Sequence, residues 1–331
     1  MSEKKSQKKN IAVMAGGNSG EYGISVNSAN LILEHINRDL FTPWLVIIKG
    51  EEWICETGQN RIPLDRNDFS VTVDGVRIRF DAVFNIIHGT PGEDGMLQGY
   101  LDMMGVSYTS CGRLTSSLTF NKYACSRFVT AAECVNIADA VLIRHGAHAS
   151  PDEILAVTGL PCFVKPNNGG SSVGMSKVKE AAGLEDAIHL AFEEDDEVLV
   201  EAFIGGTEVT CGVFSRGGKV IVLPITEIVP KTEYFDFEAK YHGKSDEITP
   251  ARIAEKDETE VKRVSALLYR YLGCKGIVRF DYILSDRGLF FLEANTVPGM
   301  SKESIVPQQL AHHGLSVTDF ITGLIEDALV G

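Results

Sequence analysis

Glu293 and Asn295 stand two residues apart where a run of large apolar residues ends, in the stretch FFLEANTVPGMS at 290–301. Side chains at i and i+2 of a β-strand leave the same face, so a carboxylate and an amide oxygen emerge side by side. Both are hard oxygen donors of the kind Mg²⁺ takes when it also holds substrate phosphates. Upstream, Val278-Arg279-Phe280-Asp281 repeats the arrangement, with Arg279 and Asp281 on one face of a second expected strand. Two such strands, one carrying a cation, suit a metal-and-phosphate site. Two edge strands with wet outer faces are the plainer alternative.

Other segments could handle an anion. Gly169-Gly170-Ser171-Ser172-Val173-Gly174 follows the expected strand PCFVKP. Its glycines let backbone N–H groups approach phosphate oxygens, its serines add hydroxyl donors, and Lys165 supplies a point charge. A Gly/Ser hairpin with no ligand fits the same residues. The Gly-Lys-Ser at 243–245 is not a P-loop, because Glu238 stands where the first glycine is required. Gly16-Gly17-Asn18-Ser19-Gly20-Glu21 joins a strand to a helix, but Glu21 would repel a phosphate and suits an ammonium group better. His88 ends the apolar run AVFNII, at the carboxyl end of a sheet where open α/β folds bind ligands; a lone structural histidine would read the same. Glu201 and Glu208 flank Phe203-Ile204-Gly205-Gly206, which alone would pass as a strand edge and turn.

These groups need elements to position them. Strands are expected at 11–15, 43–49, 82–87 and 106–108, with helices at 24–36 and 94–104; that alternation implies a parallel α/β sheet. One helix is expected over 113–132, containing Asn121 and Lys122. From 161 to 230 the chain is β-rich with a single helix at 180–193, which predicts antiparallel pairing. Residues 231–250 are polar and aromatic without a period, the signature of an active-site lid. A helix at 254–272, the two metal-type strands, and helices at 303–313 and 316–328 complete the chain.

At 331 residues, with 44% hydrophobic and 23% charged residues, the chain has the composition of a soluble globular protein of two or three domains. A net charge of −14 argues against a nucleic-acid surface. No apolar run is long enough for a membrane span. The seven cysteines include no C-x-x-C pair and suit reduced thiols in the cytoplasm.

Taken in order, GGNSGE at 16–21, HGTPGEDG at 88–95, VKP and GGSSVGMS within 164–176, EAKY at 238–241, RFD at 279–281 and LEANTVPGMS at 292–301 resemble the D-alanine–D-alanine ligases of the ATP-grasp superfamily. The likeness runs from about residue 11 to 328. It implies an α/β protein of three domains: an N-terminal parallel α/β substrate domain (1–117), a central ATP-grasp domain (118–205) and a C-terminal one (206–331) with the lid at 231–250. ATP would lie between the last two. The implied reaction joins two D-alanines at the expense of ATP, with two Mg²⁺ ions for which Mn²⁺ could substitute, in a cytoplasmic homodimer. By matching positions, Lys122 and Lys165 hold nucleotide phosphates, Glu201, the Ile204 backbone and Glu208 contact adenosine, and Lys240 reaches the γ-phosphate. Asp281, Glu293 and Asn295 match metal ligands, while Arg279 and the Gly299 backbone match groups that stabilise an oxyanion. Glu21 and His88 correspond to contacts with the first D-alanine. Ser304 and Ile305 correspond to the carboxylate site of the second. Ser171 and Tyr241 complete a hydrogen-bonded set with Glu21. Gly23 and Ala202 depart from the pattern, at positions that bear on affinity rather than chemistry. Rival readings are another ATP-grasp carboxylate–amine ligase, or a nucleotide-binding regulator without catalysis. Lys240, Arg279 and the three metal-type residues speak against the regulator.

Overall fold

A strand apolar at nearly every position needs cover on both faces, and β1 (Lys9–Gly16) finds it inside a parallel sheet. The computed structural model describes residues 8–58, 60–146, 149–170, 173–230 and 245–330. After β1 come α1 (Tyr22–His35), β2 (Phe41–Lys49), β3 (Glu52–Thr57), β4 (Asn60–Pro63), β5 (Ser70–Val73), β6 (Val76–Arg79), β7 (Ala82–Asn85), α2 (Met96–Met104) and β8 (Ser107–Tyr108). The sheet order is β4-β3-β2-β1-β7-β8, parallel from β2 to β8 and antiparallel through β3 and β4. Alternation along β1 sends Ala12 and Met14 to a core with Val46, Ile48 and Leu97, and Ile11, Val13 and Ala15 to one with Ile32 of α1. At the carboxyl end of β1 the chain turns through Gly16 at φ +92°, where a Cβ would lie 2.3 Å from the Ile48 carbonyl oxygen. Only glycine fits there.

The single helix expected over 113–132 is two: α3 (Arg113–Phe120) and α4 (Lys122–Thr130). Asn121 breaks it in an extended conformation, its side chain accepting from Ala124 N at 2.9 Å while its backbone bridges to Asn168. The break aims the start of α4, and so Lys122, at the glycine-rich segment.

Next come β9 (Ala140–Arg144), α5 (Pro151–Thr158), β10 (Cys162–Pro166), β11 (Ser176–Val178), α6 (Leu184–Phe192) and β12 (Glu197–Ala202). They form an antiparallel sheet of order β11-β10-β12-β9. The glycine-rich segment is the connection between β10 and β11, a hairpin in its topology. The helix expected at 180–193 starts as a 3₁₀ turn, Ala181–Gly183, and continues as α6.

The remaining elements are β13 (Thr207–Arg216), β14 (Lys219–Val222), β15 (Thr226–Pro230), β16 (Ser245–Ile248), α7 (Glu255–Tyr271), β17 (Ile277–Ser285), β18 (Gly288–Asn295), α8 (Ile305–His313) and α9 (Val317–Val330). Their strands form a sheet of order β16-β15-β13-β17-β18, with β14 added beside β13. Two expectations change here. The end of the supposed lid is strand: Ser245–Ile248 pairs antiparallel with β15. Its sequence SDEI shows no alternation, so only the pairing identifies it. Residues 231–244 lie outside the described residues. Second, 206–331 does not keep its core to itself. Val306, Phe320, Ile321 and Leu324 of α8 and α9 pack with Ile11, Val13 and Phe84 of the N-terminal sheet, while Val261, Val264 and Leu268 of α7 cover β13 and β17.

Candidate active site

A cavity of about 790 Å³ opens between the central and C-terminal sheets and extends to the Gly16–Glu21 turn. Of the residues singled out in the sequence, Glu21, Lys122, Lys165, Glu201, Ile204, Glu208, Asp281 and Glu293 line it. His88, Arg279, Asn295, Gly299, Ser304 and Ile305 do not line this cavity. Ser171, Lys240 and Tyr241 lie outside the described residues.

The central sheet presents the lysines. Lys165 projects from β10 on the same face as Phe163, which pairs across the ladder with Glu201 of β12. Lys165 Nζ and Glu201 Oε2 meet at 2.5 Å, with side chains only 14% and 13% exposed. Burial alone would lower the lysine pKa, but the Glu201 carboxylate and the charge of Glu293 outweigh it and raise it, so the ammonium is retained. Lys122 Nζ, at the start of α4, donates to the Gly169 carbonyl at 2.5 Å. Two ammonium groups thus flank the glycine-rich connection. Beneath them is a support that sequence reading missed. Asn167, fully buried, takes the Lys122 N–H on its carbonyl and the Tyr123 N–H on its side chain. Glu197 accepts from Asn167, Asn121 and Arg144 together, which holds its pKa below the ordinary carboxylate range despite burial.

The C-terminal sheet presents the oxygens. Asp281 on β17 faces Glu293 on β18 in register, and Arg279 faces Asn295. Asp281 Oδ1 accepts from Thr210 Oγ1 at 2.5 Å and Arg279 Nε at 2.9 Å; Oδ2 accepts from Arg279 Nη2 at 2.8 Å and Asn295 Nδ2 at 3.0 Å. Asn295 gives its amide nitrogen to Asp281 and so keeps its oxygen for another partner. Among the described residues no three His, Cys, Asp or Glu side chains converge as a metal site. The donor set is two carboxylates and an amide oxygen, which suits Mg²⁺ retaining waters and phosphate oxygens. An ion at Asp281 must displace one of the donors now on it.

Glu21 sits where the three parts meet. A Cβ on Gly170 would lie 2.7 Å from Glu21 Oε2, and one on Gly89 would lie 3.5 Å from the same oxygen. The carboxylate is therefore flanked by two loops, and the approach of the Gly170 loop leaves no room for a side chain there. Its charge opposes the effect of burial on His88, whose pKa burial nonetheless lowers, and helps push Glu93 up to about 7, burial being the larger cause. His88 is 4% exposed, with Nδ1 2.7 Å from the Val297 carbonyl and Nε2 3.2 Å from Ser28 Oγ. Ser304 begins α8 without capping it by its side chain; its Oγ accepts from Ser301 N at 3.0 Å, and a Cβ on Gly299 would meet that Oγ at 2.9 Å. That helix N-terminus and the Gly299 turn form one unit.

Apolar walls complete the cavity: Phe163, Met175, Phe203, Ile283 and Leu292 form a slot beside Glu201 and Ile204. Lys177 lies 4.0 Å from the Phe203 ring centroid. Phe163 could have been found from the sequence, since it is two residues from Lys165 on the same strand. Glu93 had a signal too, as an acid four residues after Gly89 in HGTPGEDG.

A cavity lined by apolar residues, two lysines, a glycine-rich connection and carboxylates from a second sheet defines an ATP-grasp ligase. The D-ala D-ala ligase N-terminus model matches residues 10–111 and the corresponding C-terminus model matches residues 130–326. The chain belongs to the D-alanine–D-alanine ligase family. It is 47% identical over 325 residues to a D-alanine–D-alanine ligase of Parabacteroides distasonis, covering 97% of this chain and 98% of that one. It is 46% identical over 323 residues to that of Porphyromonas gingivalis, covering 96% and 97%. Among solved structures it is similar to the VanG D-Ala:D-Ser ligase of Enterococcus faecalis, with TM-score 0.86 and 34% identity over 97% of this chain and 99% of that one. It also resembles D-alanyl-alanine synthetase A of Vibrio cholerae, with TM-score 0.88 and 28% identity over 98% and 100%.

Proposed function

We infer that this chain is an ATP-dependent ligase that joins two D-alanines into D-alanyl-D-alanine for peptidoglycan precursors, releasing ADP and phosphate. The supporting observation is Glu21: an acid held between the Gly89 and Gly170 loops, in the same cavity as Lys122, Lys165, Asp281 and Glu293. It supplies the counter-charge for the ammonium of the first D-alanine, and it places that substrate's carboxylate toward the lysines. The adenine enters the slot of Phe163, Met175, Phe203 and Leu292, and Glu201 and Glu208 serve the nucleoside. A carboxylate oxygen of the first D-alanine attacks the γ-phosphorus and ADP leaves, giving an acyl phosphate. The neutral amine of the second D-alanine attacks the acyl carbon, phosphate leaves and the amine sheds a proton. Arg279 and the Gly299 N–H stabilise the oxyanion formed in between. Asp281, Glu293 and Asn295 hold Mg²⁺, which offsets phosphate charge when bound. Ser304 and Ile305 begin the helix whose N-terminus receives the second carboxylate. Lys240 for the γ-phosphate, and Ser171 and Tyr241 for hydrogen bonds in a set with Glu21, complete the assignment from residues outside the described ones. Two Mg²⁺ ions with Mn²⁺ as substitute, a homodimer and a cytoplasmic site complete the proposal.

One experiment addresses the reaction. ADP release is followed with D-alanine, L-alanine, D-serine and D-lactate, using D-alanine labelled with ¹⁸O in its carboxylate. Label transfer to inorganic phosphate with dipeptide formation is expected. ADP release without such transfer would rule out the acyl phosphate.

A further inference from the structure

The Val297–Met300 turn, which carries Gly299, is gripped by residues from the far end of the chain. Glu93 Oε1 accepts from Val297 N at 2.9 Å, and Oε2 accepts from Gly89 N at 2.9 Å. His88 Nδ1 is 2.7 Å from the Val297 carbonyl, so both sides of one residue's backbone are engaged. Ser28 Oγ, on α1, accepts from Met300 N at 3.1 Å and lies 3.2 Å from His88 Nε2.

The hydrogens of this set follow from its acceptors. A carbonyl can only accept, so Nδ1 carries the proton. Ser28 Oγ accepts from Met300 N and keeps a second lone pair besides its own hydrogen, so geometry alone does not set the direction of its bond with Nε2. Burial lowers the His88 pKa, which favours the neutral ring, with Nδ1 donating to Val297 and Nε2 accepting from Ser28. Glu93 faces two N–H donors, one on each oxygen, which favour its carboxylate form, while burial and the Glu21 charge raise its pKa to about 7. Val297 and Met300 are 3% and 1% exposed, so apolar burial fixes how deep the turn sits. Burial has no direction, however, and the rotation of the peptide planes is left to these hydrogen bonds.

We propose that Glu93, His88 and Ser28 are positioning residues that fix the rotation of the Val297–Met300 turn and thereby aim the Gly299 amide at the reacting carbonyl. This rests on the assignment of Gly299 to the oxyanion. It also gives His88 a role behind the site. Aim of that amide matters in the second step, when a tetrahedral oxyanion forms. Transfer of phosphate to the carboxylate makes no such centre.

The test separates those steps. Glu93→Gln keeps shape but turns a donor toward one of the two N–H groups. It should lower kcat for dipeptide synthesis about ten- to a hundredfold, the effect of a misplaced charge-assisted hydrogen bond. The KM for ATP and the D-alanine-dependent positional isotope exchange of ATP, which reports acyl phosphate formation, should stay at wild-type levels. His88→Asn, which keeps a donor at the Nδ1 position, should retain more kcat than His88→Leu. Ser28→Ala removes the acceptor for Met300 N together with the hydroxyl bonded to His88 Nε2, and carries the test if Glu93→Gln does not fold. Equal loss in exchange and dipeptide synthesis, or wild-type kcat in both Glu93→Gln and Ser28→Ala, overturns the proposal. Absence of exchange and of dipeptide in the wild type would instead overturn the ligase reading.

Discussion

Replacing Asp281 by Asn tests whether the acid serves the fold, the metal or both. The Asp281–Arg279 pair closes at 2.8 Å with side chains 9% and 18% exposed. At that separation the gross attraction is about 6 kcal/mol for an effective dielectric constant of ~20. Desolvation offsets much of it, and removing one partner of a buried pair costs about 3–5 kcal/mol. Glu247 is close enough for Arg279 to lower its pKa against the larger raising effect of burial, so the guanidinium keeps some compensation. The lower end, about 3 kcal/mol, is expected in urea unfolding followed by circular dichroism. Thr210→Val, which removes a single hydrogen bond to the same carboxylate, should cost about 1 kcal/mol. Magnesium titration of ADP release then separates the roles. Asp281→Asn should need far more Mg²⁺ and lose about a hundredfold or more in turnover, whereas Thr210→Val should keep the wild-type Mg²⁺ requirement. If the two variants matched in both measurements, Asp281 would be no more than a hydrogen-bond acceptor in the sheet and the metal assignment would fail.

Glu293→Gln should leave a folded protein with severely reduced turnover, measured by coupled ADP release; wild-type activity at ordinary Mg²⁺ would refute the ligand role. Gly170→Ala places a Cβ 2.7 Å from Glu21 Oε2; the displaced acid should raise the KM for D-alanine by roughly tenfold or more, with nucleotide binding by calorimetry little changed. Glu197→Gln should destabilise the protein at neutral pH. The folded-state pKa of Glu197 is lowered, so its contribution is present above the unfolded carboxylate pKa and is lost as the pH falls through the folded value. Melting curves of variant and wild type should therefore converge in acid, and a constant gap would refute the hub.

What could be read from the sequence was what local geometry decides. Alternation put Glu293 with Asn295 and Arg279 with Asp281, and the glycine turns marked where the backbone comes close to other groups. What could not be read depends on register between distant strands. Nothing in the sequence says that Glu201 meets Lys165, because that needs the pairing of β10 with β12. The break at Asn121 was hidden for the same reason: residues 113–132 have one helical pattern, and the partner that stops it is Asn168, far along the chain.

The C-terminal helices show the same limit on a larger scale. Their apolar residues announce that α8 and α9 are covered, but not that the cover is the first sheet. That packing has a chemical consequence. It lays the Val297–Met300 turn against α1 and the His88–Glu93 loop, where the hydrogen bonds from Ser28, His88 and Glu93 become available. A boundary drawn at residue 206 would separate Gly299 from the residues that hold its turn. The Val297–Met300 turn is held by the two ends of the chain together, so, with Gly299 serving the oxyanion as proposed, substitutions in α1 or the His88–Glu93 loop should register in chemistry carried out at the other end.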